Sequence, residues 1–242
     1  MKPKHNIREG TFMKSGVLFR SDELSKMTTQ DCALLHDLNI KVICDLRTSK
    51  EYHKKSPPHS VIKAMKRLHI PLHTHDINRK KLLSFLFSKT GKADFEQFRT
   101  NYYHHIAFES TAQIKEIITI LSHEENQPAL IHCRAGKDRT GFIAAIIQLL
   151  VGVPYESVAQ EYLKTNQFYE SHMNKLIKVM RWVTLFRVSR ERMKFMLMAH
   201  QTDLDKVYEA IIQHYGSVED YLCKGCGIEP NIITKLKHQL LE

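Results

Sequence analysis

A cysteine and an arginine six positions apart stand out in the decapeptide His132-Cys133-Arg134-Ala135-Gly136-Lys137-Asp138-Arg139-Thr140-Gly141. A thiolate attacks phosphorus, and a guanidinium is a planar, permanently charged fork that binds two phosphoryl oxygens at once. Cys133 is therefore the candidate nucleophile and Arg139 the candidate phosphate clamp. Of the five cysteines, only Cys133 has an arginine six residues on.

The flanking elements suit that chemistry. Pro128-Ala129-Leu130-Ile131 is a short apolar run that reads as a buried strand, and Phe142 to Val151 is apolar almost all round and reads as a buried helix. The loop between them opens at a helix N-terminus, where unpaired N–H groups and the positive end of the helix dipole make an anion cup. Gly136 permits the left-handed turn that points successive amides inward. Arg134, Ala135, Gly136, Lys137 and Thr140 form the expected phosphate-binding set around Arg139. The same field favours thiolate over thiol. His132 is placed to orient the loop through its ring nitrogens, and the Thr140 hydroxyl to hydrogen-bond the sulfur when it becomes a leaving group.

The loop resembles that of Cys-dependent protein tyrosine phosphatases, in particular an atypical microbial branch of tyrosine and phosphoinositide phosphatases with a Gly-Lys-Asp-Arg loop (PtpB-like and LipA-like enzymes). Gly16-Val17-Leu18-Phe19-Arg20-Ser21 resembles that branch's entry strand and Val42-Ile43-Cys44-Asp45-Leu46-Arg47 its Asp-Leu-Arg strand. Gly152-Val153-Pro154 through Asn166 resembles the helix after the loop, and Tyr215-Gly216-Ser217 with Tyr221-Leu222 the C-terminal segment. The resemblance spans the chain from about residue 10 to its end. It implies a phosphatase fold and a phosphocysteine intermediate, with neither metal nor cofactor.

Composition fits one enzyme-sized domain over residues 1–242, with 43% hydrophobic residues and no repeats. Strands are expected near 17–21, 41–47, 66–72 and 128–133. Helical stretches are expected near 28–38, 94–122, 140–151 and 155–164, with residues 167–242 helical. That alternation argues for an α/β fold: a mainly parallel sheet flanked by helices. The longest apolar stretch is too short to span a bilayer, and the N-terminus lacks an apolar signal core. Five cysteines without a regular framework fit a reducing compartment. The expected location is cytoplasmic, or secreted without an N-terminal signal peptide.

The general acid has two candidates. Asp138 lies beside Arg139, and the resemblance favours the loop aspartate; its other role would be to pair with Lys137 or Arg139. Asp76, after the strand ending near 72, sits where other phosphatases of this class carry their acid. Arg134 and Lys137 exceed what a phosphotyrosine monoester requires. They suit a headgroup with several phosphates, and lipid phosphatases of the phosphatase-and-tensin type resemble this loop in that respect; the alternative is that they face solvent or an acidic neighbour. Asp45, Arg47 and Arg20 are expected to fix loops by ion pairing.

The formal charge of +10 favours anionic partners. The basic residues are dispersed and no nucleic-acid motif accompanies them, so a phosphorylated protein or phosphoinositide is the expected substrate and nucleic acid is not. Between Asn174 and Met198, Leu176, Val179, Met180 and Val183 are predicted to form one helical face, with Lys178 and Arg181 opposite. That pattern is an ordinary packed helix, a patch for an acidic membrane surface, or, as the resemblance implies, part of a helical lid inserted at about 167–200. Cys223-x2-Cys226, with His214 and His238, lacks the second pair that would make a zinc site. Two other classes stay open beside an active phosphatase: an inactive phosphate-binding module, and a rhodanese-type sulfurtransferase using the loop cysteine.

Overall fold

The computed structural model describes residues 13–54, 65–72 and 84–241. Four parallel strands form one sheet: β1 (Leu18–Ser21), β2 (Val42–Asp45), β3 (Lys66–His69) and β4 (Ala129–His132). Their order is β1-β4-β2-β3, so the last strand in sequence lies inside the sheet, between β1 and β2. Both β2 and β4 are buried on two faces, which is why they read as unbroken apolar runs rather than alternating ones. The register brings Ser21, His132, Asp45 and His69 level at the carboxyl ends of the strands, the edge at which open α/β sheets bind ligands.

Successive side chains alternate between the faces. Phe19, Ile43 and Leu130 pack with Leu35 of helix α1 (Thr29–Asp37) on one side. Val42, Cys44, Ala129 and Ile131 face the main core on the other. That core is built by α3 (Gly91–Glu109), α4 (Thr111–Leu121), α5 (Asp138–Leu150), α6 (Tyr155–Leu163), α9 (Gln201–Tyr215) and α10 (Pro230–Leu240). Helix α2 (Ser49–Lys54) follows β2. In α5 every residue from Arg139 to Gln148 is buried, as its all-round apolar sequence predicts.

Two expected helices are interrupted. The stretch 94–122 is two helices, α3 and α4, because Ser110 leaves helical geometry at φ −106°, ψ 28°. The stretch 174–198 is the end of α7 (Thr165–Val183) and the whole of α8 (Arg190–Leu197), joined by a turn into a hairpin. Helix α7 stops in a Schellman motif: Phe186 N–H donates to the Arg181 carbonyl at 2.8 Å and Leu185 N–H to that of Trp182 at 3.0 Å. Leu185 takes the left-handed position that glycine usually fills, at φ 49°, and Phe186 follows at φ 58°.

The inner face of α7 also differs from the predicted one. Met173 and Ile177 are buried and Met180 half-buried, whereas Val179 and Val183 are exposed. The hairpin carries its own core of Leu86, Met173, Ile177, Val188 and Met193, apart from the main one. No helix among the described residues is long and apolar enough to cross a membrane.

Candidate active site

The loop 133–137 leaves the central strand β4 and enters the first turn of α5, so Cys133 sits at the end of the sheet and only 2% exposed. Gly136 has φ +61°, and a Cβ there would stand 2.6 Å from the Ser21 carbonyl oxygen. The loop needs glycine at that point for both conformation and space. Gly136 in turn offers its carbonyl to Arg20 Nη2 at 2.9 Å, and the same Nη2 donates to Thr165 Oγ1 at 2.8 Å. Arg20 thus ties the loop to the first residue of α7. Gly141, one turn into α5, lies against the Tyr162 ring, where a Cβ would come within 2.9 Å.

Arg139 returns toward the sheet end, and a carboxylate holds it there. Its Nη1 donates to Glu51 Oε2 at 2.7 Å and to the Leu46 carbonyl at 3.2 Å, and its Nη2 donates to Glu51 Oε1 at 3.2 Å. Burial alone would disfavour both charges. Tyr102, Cys133 and Glu51 nonetheless hold the guanidinium's affinity for its proton above the ordinary value, and the hydrogen bonds and charge of Arg139 keep the Glu51 carboxyl below its own. Arg139 Nε and Thr140 Oγ1 are buried with no hydrogen-bond partner among the described residues. The Thr140 hydroxyl is thus uncommitted in this structure, while the role expected of it belongs to the step in which the Cys133 sulfur departs.

His132 is fully buried beneath the loop. Its Nδ1 lies 3.4 Å from the Cys133 carbonyl and its Nε2 lies 3.5 Å from Asp45 Oδ2. Burial, reinforced by Arg47 and Arg67, pushes the imidazole down to about 4 against the pull of Asp45. Burial would raise Asp45, but Arg47 donates to it through Nε at 2.9 Å and Nη2 at 2.7 Å, and Arg67 through Nη2 at 2.9 Å. These hydrogen bonds, with the nearby charges, hold the carboxyl at about 2. Arg47 also reaches Glu23 at 3.4 Å. Asp45 and Arg47 make the ion pairs expected of them, whereas Arg20 ties the loop through hydrogen bonds to a carbonyl and a hydroxyl.

Asp138 is the first residue of α5 and half-buried. Tyr103 donates its hydroxyl to Asp138 Oδ1 at 2.9 Å, and the Tyr103 and Tyr162 hydroxyls meet at 2.5 Å. Burial pushes both phenols well above their ordinary range, so they stay neutral. Asp138 Oδ2 lies 3.5 Å from Lys137 Nζ. Asp76 lies outside the described residues.

Lys137 does not extend toward solvent as a free cation. It is buried and its Nζ donates to the carbonyls of Leu197 at 2.9 Å and Met198 at 3.3 Å, at the C-terminal end of α8, where a helix dipole favours positive charge. Asn166 closes the same hairpin at its base, donating Nδ2 to the Ala199 carbonyl at 2.9 Å and accepting from the Ala199 N–H at 2.8 Å. Arg134 is exposed and Ala135 half-buried.

The structure brings Cys133, Gly136, Lys137, Asp138, Arg139 and Thr140 together with Arg20, and adds Glu51, Tyr103 and Tyr162. One of these additions has a local signature. Thr48-Ser49-Lys50-Glu51 is a capping box, with Thr48 N–H donating to Glu51 Oε2 at 3.0 Å and Glu51 N–H to Thr48 Oγ1 at 3.4 Å. That pattern places Glu51 in the first turn of α2. Among the described residues no group of three or more His, Cys, Asp or Glu is placed to hold a metal ion. Cys226 is buried, which pushes its thiol up to about 11.

Comparison with known proteins gives a family. A family model described as "Tyrosine phosphatase family" matches residues 4–242. The chain is 25% identical over 261 residues to the triple specificity protein phosphatase PtpB of Mycobacterium tuberculosis, covering 96% of this chain and 93% of that protein. It is 27% identical over 167 residues to a tyrosine-protein phosphatase of Nostoc commune, covering 66% of this chain and 52% of that one. Among solved structures, the core catalytic domain of the PP-IP phosphatase SIW14 from S. cerevisiae aligns at 18% identity with a TM-score of 0.40, over 77% of this chain and 97% of that one.

Proposed function

This chain belongs to the tyrosine phosphatase family, and from that premise we propose that it hydrolyses phosphate monoesters at the loop 133–139 through a phosphocysteine intermediate, with phosphotyrosine and phosphoinositides as substrates. In the first step the Cys133 thiolate attacks phosphorus, the bond from phosphorus to the ester oxygen breaks, and Asp138 gives its proton to the departing alkoxide or phenolate. In the second, a water oxygen attacks the phosphocysteine and passes a proton back to Asp138. The S–P bond breaks to release inorganic phosphate and restore the thiolate.

The observation that carries this reading is the position of Arg139. It is buried beside Cys133 at the N-terminus of a buried helix, its Nη atoms fixed by Glu51 and its Nε unpartnered. An unpaired buried donor costs about 1–3 kcal/mol; a phosphoryl oxygen on Nε would remove that cost and spread its own charge onto the guanidinium. Tyr103 fixes one oxygen of Asp138 and so orients the acid. Arg134, Ala135, Gly136, Lys137 and Thr140 complete the phosphate-binding set, Lys137 through its backbone while its ammonium is engaged by α8.

The hairpin α7–α8 acts as a lid. Both of its roots are fastened to the loop, by Arg20 on Thr165 and by Lys137 on Leu197 and Met198, which supports that reading. The relative named a triple specificity phosphatase supports more than one substrate class. The net charge of +10 and the exposed Arg134 support phosphoinositides among them, and with them an acidic membrane surface as the partner. The five cysteines are free, which supports a reducing setting, in the cytoplasm or after secretion without an N-terminal signal peptide.

The test is phosphate release from para-nitrophenyl phosphate, phosphotyrosine peptides and a panel of inositol lipids, by the natural chain and by Cys133→Ser. Turnover that vanishes in Cys133→Ser supports the reading. Phosphate binding without turnover would make the chain a binding module, and cyanide-dependent thiocyanate formation a sulfurtransferase. Strong release from phosphotyrosine with none from any inositol lipid removes the lipid half alone.

A further inference from the structure

The tip of the α7–α8 hairpin exposes apolar side chains that the fold had the means to hide. Trp182 is 71%, Val183 76% and Leu185 71% exposed, and Val179 and Phe186 also stand in solvent. Among the described residues the ring contacts of Phe186 are local, edge-on to Trp182 at 5.3 Å and beneath the Arg181 guanidinium at 5.0 Å. Leu185 holds the left-handed position of the Schellman motif, where glycine would adopt the same turn without strain. A branched apolar residue kept in a strained, solvent-exposed position contributes nothing to folding that glycine would not.

The surrounding charge is predominantly positive, with the exposed Glu191 near Arg181 and Arg190 as its acidic exception. From Ser171 to Arg190 the chain has Lys175, Lys178, Arg181, Arg187 and Arg190 and no Asp or Glu. Lys178, Arg181 and Arg190 line a cleft of about 170 Å³ together with Trp182 and Phe186. An indole and a phenyl ring beside cations suit the boundary between headgroups and acyl chains, where the rings enter the apolar side and the cations meet lipid phosphates. A second copy of this tip would bring five cations against five, which argues against self-association as what covers it.

We propose that the hairpin tip is a membrane anchor: Trp182, Val183, Leu185 and Phe186 insert into the interfacial layer of an anionic bilayer, and the cleft between Lys178, Arg181 and Arg190 holds an anionic lipid headgroup. This deepens the acidic-membrane reading above by naming what touches the lipid. It also sets a distance. Helix α7 runs from Thr165, held at the active-site loop, to Val183 at the tip, a rise of about 27 Å at ~1.5 Å per residue. The anchor is therefore separate from the catalytic residues and can be altered without touching them.

Trp182 is the chain's only tryptophan, so its fluorescence reports the tip alone. Full-length protein is mixed with vesicles of phosphatidylcholine, or of phosphatidylcholine with about one lipid in five phosphatidylserine, and both emission and co-sedimentation are read. The expected result is a blue shift and sedimentation with the anionic vesicles only. Val183→Asp and Phe186→Asp should abolish both signals, and Lys178→Glu should weaken binding by at least about fivefold. Leu185→Gly keeps the left-handed turn, so it should bind anionic vesicles more weakly while its unfolding midpoint, read in parallel, stays at or above that of the natural chain.

All four variants should turn over soluble para-nitrophenyl phosphate as the natural chain does. If no protein turns it over while vesicle binding persists, the catalytic reading fails and the anchor stands. The anchor is overturned if emission is unchanged by anionic vesicles, if the aspartate variants bind as well as the natural chain, or if Trp182 shifts with protein concentration in the absence of lipid, which would make the occupant a second copy.

Discussion

Lowering the pH from 7 to 5 should destabilise this protein chiefly through the fully buried His132, with the half-buried His200, also pushed down by burial, adding in the same direction. In the fold the His132 imidazole is pushed down to about 4, from 6.5 when free in the unfolded chain. Between those values the unfolded state binds a proton that the folded state refuses, so stability falls as the pH falls. With these two values the loss between pH 7 and pH 5 is about 2 kcal/mol, approaching ~3 kcal/mol below pH 4 at ~1.4 kcal/mol per unit of separation. Asp45, held at about 2, stays ionised throughout this window and does not interfere.

Substituting His132→Asn removes the titrating group and keeps a polar side chain near Asp45. Urea unfolding of both proteins at pH 7 and pH 5, at constant ionic strength, isolates the histidine from the other fourteen. The natural chain should lose about 2 kcal/mol more than the variant over that interval. A stability difference that is the same at both pH values would refute the reasoning, because His132 would then titrate alike in the folded and unfolded states.

Glu51→Gln should lower kcat/KM by about tenfold to a hundredfold in steady-state assays, because the guanidinium of Arg139 loses the carboxylate that sets its angle. Gly136→Ala should cost at least ~1–2 kcal/mol in chemical denaturation, from its positive φ and the approach of Ser21. Tyr103→Phe should destabilise by about 1–3 kcal/mol by stranding the buried Tyr162 hydroxyl, and the double variant with Tyr162→Phe should recover most of it. Tyr103→Phe should also reduce turnover of poor leaving groups most, since it releases Asp138. Asn166→Ala should speed amide exchange in α7 and α8 while leaving β4 and α5 protected, since it unties only the hairpin's base.

What could be read from the sequence was whatever declared itself locally. Strand β4 and helix α5 are apolar runs of the right lengths, with the loop 133–137 between them, so the placing of Cys133 and Arg139 and their setting were legible. The break at Ser110 was not, because neither glycine nor proline marks it. The hairpin turn was hidden for the same reason: Leu185 stands where glycine would have announced the end of α7. The facing of α7 was misassigned because Val179 and Val183 have the helical spacing of a buried face yet are exposed, and periodicity alone does not distinguish a buried stripe from an exposed one. The partners of the loop lie far off in the chain, Glu51 88 residues from Arg139 and Leu197 60 residues from Lys137. Such pairings are products of the fold and leave no trace in spacing.

The hairpin rests on a bed of sulfur. Met173 and Met193 are buried in its private core, with Met180, Met196 and Met198 packed around them, five of the chain's nine methionines. Unbranched thioether side chains have three rotatable bonds and refit irregular spaces at little cost. A hairpin bedded on them can change its seating by a few rotamer flips, without opening the Ile- and Leu-rich core under the sheet. The same softness carries a vulnerability: conversion of these thioethers to sulfoxides would turn an apolar bearing polar. Peroxide would then act on this joint as well as on the free thiols of the molecule.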